Sequence, residues 1–404
     1  MKQQKKHLPT KKRYHFLEYL ILNVFVFAGI GLLSFVLFNV SLFNPFTQAF
    51  KDFTLTDMYY SRIKTQDSIY NGPLVLINVE NKNREEIAFL LQRLQEGKPK
   101  VIGLDIIFND KKDSASDELL RQTFAQYNNM IIPYIASFDS TGYETKNHDY
   151  FQTKSNAFVN IMGEDAQFST IRYYYPVKNN IPAFTTALLQ MYDPGKANTL
   201  LKKGEKKTEI RYYGNLQNFK YHTFDEVMNI SFQPEALKDK IILLGYMGKA
   251  DGTSKAIDED RFFTPLNSRL SGRSHPDMYG SVVHANILRM SLDNDYVYSL
   301  PSWLNWLLAF FLSLGILPFL VRTWVHKAVW FHLAILLVQL SFSILFVFLT
   351  ILLYANASIK IESAAVLVAV ILLGDFILFY DAIVQFLRYK LKWNFHSKFF
   401  EGAH

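Results

Sequence analysis

The sequence predicts an α/β extracytoplasmic domain, mainly a parallel sheet flanked by helices, on a four-helix transmembrane base. Three observations predict it. Four apolar blocks stand out, Phe16 to Leu42, Trp303 to Val321, Val329 to Tyr354 and Ile361 to Leu387, each about long enough to cross a bilayer. More than two hundred residues of ordinary globular composition separate the first block from the second. Within that stretch, short apolar runs alternate with helical patterns, and each run is too continuously apolar for a sheet with one face in water. The 404 residues are 50% hydrophobic, and the near-zero mean hydropathy averages two unlike kinds of segment.

Charge places the blocks in the membrane. The formal net charge is +7, but its position argues against a nucleic-acid partner. Lys2, Lys5, Lys6, Lys11, Lys12 and Arg13 precede the first block, Arg322 and Lys327 lie between the second and third, and Arg388, Lys390, Lys392 and Lys398 follow the fourth. The connection Ala355 to Lys360 carries one Lys. The positive-inside rule then predicts cytoplasmic termini and a large domain outside, with the basic clusters meeting lipid headgroups. The expected division is a basic tail (1–15), a first span (16–43), the outer domain (44–301), spans at 302–322, 328–354 and 361–388, and a cytoplasmic tail (389–404). The first block is too long for a signal peptide and lacks a small-residue cleavage site, so it reads as an uncleaved anchor. The chain has no cysteine, which excludes disulfides, thiolate metal sites and thiol chemistry.

After the anchor, Phe53 to Ile63 reads as an amphipathic segment near the membrane, punctuated by Gly72-Pro73. Leu74 to Val79 is an apolar strand, Arg84 to Leu94 a helix, Val101 to Leu104 a second strand, Glu118 to Tyr127 a helix and Met130 to Ile135 a third strand. Ala157 to Ile161 and Ile171 to Tyr175 read as strands, paired or not as a hairpin. Ala183 to Tyr192 reads as a helix, Gly195 to Lys207 as a charged surface loop or hairpin, Glu209 to Tyr213 as a strand and Phe224 to Met228 as a short helix. Ile241 to Leu244 returns to the core, and the chain then passes through a polar loop, an amphipathic helical pattern around His284 and a turn at Ser299-Leu300-Pro301 directly into the second block. That segment links the last sheet strand to a membrane span.

These residues resemble the CHASE2 extracytoplasmic sensor domain of bacterial receptors. Asp57, followed by Tyr and Arg, stands just outside the anchor. Val75 to Glu80 resembles the family's first strand, and Val101 to Phe108 its second, with Asp105 at a characteristic Asp. Phe158-Val159-Asn160, Asp165 and Arg172 precede its "Arg then apolar" strand, and Lys240 to Gly245, Thr264-Pro265-Leu266, Gly280 and His284-Ala285-Asn286 match its end. One span before the domain and three after it is also the family's plan. After Glu80 this chain is shorter than its relatives. Relatives usually carry a cytoplasmic kinase or cyclase after the last span, and with about sixteen residues after the fourth block none is expected here. The resemblance implies a membrane-anchored sensor or binding module in a bacterial inner membrane, signalling through its transmembrane helices to a separate protein partner. The alternative is a structural subunit of an envelope complex with no small-molecule ligand. Signalling relatives commonly act as dimers, which implies a homodimer.

Candidate chemistry is sparse, and neither a catalytic residue, a metal nor a cofactor is expected. Asp251, Asp258, Glu259 and Asp260 lack the spacing of a calcium loop and read as a solvated loop. His275, His284 and Asp277 have no nucleophile setting, and a hydrogen-bonded His284 in a helix packing contact is the expectation. Gly245-Tyr246-Met247-Gly248 reads as a turn rather than a phosphate cradle. Pro265, Gly280, His284 and Asn286 are expected to be structural. Glu80 and Asp105 end predicted parallel strands, the edge where α/β sheets bind ligands, so with Arg172 they are the expected ligand-binding residues; the competing reading makes each a cap of the following helix. In the fourth block, Asp375 lies near mid-bilayer beside Gly374, with Asp381 nearer the cytoplasm. These three are the candidate intramembrane contact for a partner helix. An internal hydrogen bond of Asp375 to Gln339 or Ser341 is the other reading.

Overall fold

The computed structural model describes residues 11–39, 55–64, 68–138, 145–161, 170–248, 260–267, 275–326, 328–393 and 397. Asp165, Asp251, Asp258 and Glu259 lie outside them. The chain forms two compact units, residues 56–297 and residues 1–55 with 298–404.

The first unit is built on six parallel strands: β1 (Leu74–Asn78), β2 (Val101–Leu104), β3 (Met130–Tyr134), β4 (Asn156–Phe158), β5 (Lys220–Thr223) and β6 (Ile241–Gly245), in the spatial order β4-β3-β2-β6-β1-β5. Every residue of β1, β2 and β6 is buried, the mark of a sheet covered on both faces. Alternate side chains divide between the faces. Val75, Ile77, Ile102, Leu104, Ile242 and Leu244 pack with Leu90, Leu91 and Leu94 of α2 (Arg84–Glu96) and with Leu120 and Phe124 of α3 (Ser114–Gln126). On the opposite face lie α4 (Phe184–Tyr192) and α6 (Gly280–Leu292), with α5 (Pro194–Lys203) beside them. Gly103 is needed there, because a Cβ on it would stand 2.7 Å from Leu188.

Several expectations change in the middle of the domain. Asn156–Phe158 is no hairpin partner: it joins the main sheet parallel to β3, while Tyr173–Tyr174 pairs antiparallel with Thr208–Glu209. The stretch expected as a charged loop at Gly195 to Lys207 is largely α5. Asp193 caps that helix by accepting from Lys196 N–H, Pro194 occupies its first turn, and Ala197 and Leu200 are buried beneath its lysines. The strand β5 escapes sequence reading because Lys220 and Tyr221 of this edge strand are exposed and its residues are polar.

The second unit holds α1 (Lys11–Asn39), α7 (Ser302–His326), α8 (Ala328–Ala357) and α9 (Ala364–Tyr389). All four are long and apolar enough to cross a membrane, the pattern of a multi-pass membrane protein. Some of their polar residues are buried among the helices, including Asn23, Asn305, Ser313 and Asp381. Asn23 Nδ2 donates to the Phe310 carbonyl at 2.9 Å, and its Oδ1 accepts from Ser313 Oγ at 2.8 Å. Tyr298–Ser299 pairs parallel with Ile359–Lys360, tying the start of α7 to the α8–α9 connection.

Candidate functional site at the carboxyl edge of the sheet

The central strand β6 lies between β1 and β2, and all three end level: Asn78 pairs with Gly245, and Asp105 N–H donates to the Leu244 carbonyl at 2.7 Å. Glu80 and Asp105 therefore occupy one edge with β6 between them, two strand spacings or about 10 Å apart at the backbone. Neither caps a helix. Asn83 forms a capping box with Glu86 at the start of α2, and Asp113 caps α3, so Glu80 and Asp105 stand outside both caps.

Glu80 is held by its neighbour two residues back. Asn78 Oδ1 accepts from Glu80 N–H at 3.1 Å and Met247 N–H at 2.9 Å, while its Nδ2 donates to the Gly248 carbonyl at 2.8 Å. Asn78 thus ties the turn after β1 to the turn after β6. Glu80 has a φ of 50°, in the left-handed region. Its Oε1 is buried with no hydrogen-bond partner among the described residues.

Asp105 meets the N-terminus of α6. Ser281 Oγ donates to Asp105 Oδ2 at 2.7 Å. Gly245 permits this approach, since a Cβ there would stand 1.9 Å from Ser281 Oγ. Gly280 serves the same end: its N–H donates to the Asp260 carbonyl at 3.1 Å, and a Cβ on it would lie 3.0 Å from Asp260 Oδ1. Asp260 is exposed as a residue, yet its carboxyl packs against Gly280. Lost hydration and the nearby Asp105 carboxylate push its pKa up to about 7.

His284 is one helical turn beyond Ser281. It is only 5% exposed, edge-on to Phe184 with ring centroids 5.4 Å apart. Burial lowers its pKa, against a smaller opposing pull from Asp105. The expected hydrogen bond is not formed at Nδ1, which is buried without a partner among the described residues. Asn286 is the fastening residue of this motif. Its Oδ1 accepts from Tyr213 N–H at 2.7 Å and its Nδ2 donates to the Gly214 carbonyl at 3.0 Å, pinning α6 to the core. Pro265 is buried in a turn fixed by Asp277, which accepts from Thr264 N–H at 2.8 Å and Thr264 Oγ1 at 2.5 Å. Burial raises Asp277 to about 6, against those two bonds.

Arg172 is engaged elsewhere. Its Nε and Nη2 donate to Asp57 Oδ1 and Oδ2 at 3.0 and 2.6 Å, with both side chains buried. This pair clamps the segment that follows the first span onto the domain, helped by Tyr60, whose hydroxyl accepts from Tyr212 N–H at 3.3 Å. A separate groove of about 520 Å³, lined by Tyr134, Lys146, His148 and Asn156 among others, contains none of Glu80, Asp105 or Arg172.

The sequence profile of the CHASE2 domain matches residues 41–318, more than half of the chain. The chain belongs to the CHASE2 family. A CHASE2 domain is a sensor-type domain and is not itself catalytic. No curated protein and no solved structure matches the chain. In this CHASE2 domain, Gly280, Ser281 and His284 belong to the N-terminal part of one helix, and sequence reasoning overlooked Ser281, Asn78 and the approach of Asp260. Asn78 carried a signal, being a polar residue at the end of a wholly apolar strand.

In the membrane unit, the three candidate residues of α9 have different surroundings. Gly374 is buried against α8, where a Cβ would meet Ile335 at 2.6 Å. Asp381 is buried and accepts from Trp324 Nε1 at 3.3 Å and Gln385 Nε2 at 3.0 Å. Asp375 is exposed. Gln339 donates to the Ile371 carbonyl at 2.6 Å, so it is occupied one turn away from Asp375.

Proposed function

We propose that this CHASE2 protein is a membrane-anchored sensor that reports a change at the carboxyl edge of its sheet to a separate protein partner through its transmembrane helices. The supporting observation is the course of the chain from that edge to the second span. Ser281, bonded to Asp105, opens α6; the helix runs to Leu292; and the residues after it stay fixed to the domain. Asp295 accepts from Tyr213 hydroxyl at 2.8 Å and pairs with Arg211 at 2.9 Å, and Tyr296 and Val297 are buried. The next residue, Tyr298, starts the strand that leads into α7. A state that repositions the start of α6 therefore acts on the chain entering the second span, provided it binds two arrangements unequally. Glu80 and His284, each with a buried atom lacking a partner among the described residues, are the groups such a state would engage.

A second reading, an envelope-complex subunit with no small ligand, has its own support. Ser281 packed on Gly245, and Asn78 tied to Gly248, fill this edge with protein groups. Mild cross-linking in the native bacterial inner membrane, followed by purification of the full-length protein, separates the two. Recovery of a kinase, cyclase or response regulator supports sensing. Recovery of envelope or transport proteins alone overturns it in favour of the structural subunit.

A further inference from the structure

We propose that the outward face of α9 at Asp375 receives a transmembrane helix of a different protein, one that carries a Lys or Arg at mid-bilayer depth. The inference rests on the assignment of four spans and is independent of whether the outer domain binds a ligand. Asp375 is the twelfth residue of α9 (Ala364–Tyr389), about 16 Å from one end of the helix and about 21 Å from the other at 1.5 Å per residue. Its single methylene cannot carry the carboxylate to either interface. A carboxylate at that depth is costly to hold in hydrocarbon unless a partner compensates it.

The compensation does not come from the described residues. Asp375 is exposed and has no hydrogen-bond or ion-pair partner among the described residues, Gln339 is bonded to the Ile371 carbonyl, and Gly374 is covered by Ile335. Ile371 and Phe379, one turn to either side, are 49% and 62% exposed. Together they form an apolar stripe along one face of the helix with one acid at its centre. A second copy of this chain does not complement it. The basic residues of the four helices lie near their ends, at Lys11, Lys12, Arg13, Arg322 and Arg388, and α8 contains neither Lys nor Arg. Charge complementarity at mid-depth must come from another sequence. The face is distinct from Asp381, which is satisfied internally.

The test uses full-length protein in liposomes and leucine-rich transmembrane peptides of one length, identical except for a central Lys, Leu or Glu, with association read by fluorescence transfer. The Lys peptide should associate and the Leu peptide should not. Asp375→Asn should weaken Lys-peptide association at least about tenfold, and Asp375→Lys should recruit the Glu peptide instead, which shows that the variant still folds and inserts. Equal recruitment of Lys and Leu peptides, or an unchanged Asp375→Asn, overturns the proposal. So does self-association that depends on Asp375 without Lys-peptide recruitment, which assigns the face to a second copy. No ligand is present in this assay, so its failure leaves the sensing reading standing.

Discussion

Replacing Arg172 by Met removes one half of a buried ion pair and tests whether that pair is a clamp. Asp57 and Arg172 side chains are 2% and 7% exposed, joined by two hydrogen bonds of 2.6 and 3.0 Å. Removing one partner strands the other charge in the protein, which costs about 3–5 kcal/mol. For a domain of this size, each kcal/mol moves the melting midpoint by about 2–4 °C, so Arg172→Met should lower the outer domain's midpoint by roughly 6–20 °C. Asp57→Leu should do the same. The double variant carries no stranded charge, and its loss should be smaller than the sum of the single losses by about 2 kcal/mol or more. The assay is thermal unfolding of the full-length protein in detergent, followed by limited proteolysis of the outer domain. A midpoint for Arg172→Met within about 2 °C of wild type, or additive losses in the double variant, would refute the clamp.

Asp260 and Asp277, raised to about 7 and about 6 from the ordinary 3.8, favour the folded state while both states hold the proton and lose that contribution as pH rises through the folded values. His284, lowered by burial, works in the opposite direction below its ordinary value. The difference between wild type and Asp260→Asn isolates the acid: wild-type stability relative to the variant should fall from about pH 4 to about pH 7 and then stay flat, and a flat difference throughout contradicts the assignment. Because the chain is free of cysteine, single replacements report sidedness: Asn356→Cys should react with an impermeant maleimide from outside the cell, and Lys390→Cys only after permeabilisation.

Much of the scaffold was legible because the chemistry was local. Continuous apolar runs marked β1, β2, β3 and β6, and the bounds of Val101–Leu104 emerge unchanged. Four long apolar blocks marked the helices of the membrane unit. What failed depended on neighbours. Polar Lys220–Thr223 is a strand only because β1 offers it a hydrogen-bonding edge, and α5 reads as a loop until Ala197 and Leu200 find the core. At the site, the sequence placed Glu80 and Asp105 at one edge but could not insert β6 between them. Nor could it show that Ser281 turns toward Asp105, because that contact joins residues 176 apart in the chain. Arg172 read as a ligand residue, while its geometry depends on Asp57, 115 positions earlier.

The claim that the sheet edge acts on the membrane helices is tested most directly by the spacing of those helices. Spin labels at Leu32→Cys on α1 and Trp306→Cys on α7, both exposed positions, report the distance between first and second spans in lipid. Gly245→Ala places a methyl group 1.9 Å from Ser281 Oγ and 3.0 Å from its Cβ, so the Ser281 contact at the start of α6 must shift. This single methyl should displace the distance distribution by about 1–2 Å, the scale of helix shifts in switching proteins. A distribution superimposable on that of the unsubstituted protein, with the outer domain folded but altered in its melting, would show that the edge and the spans are uncoupled.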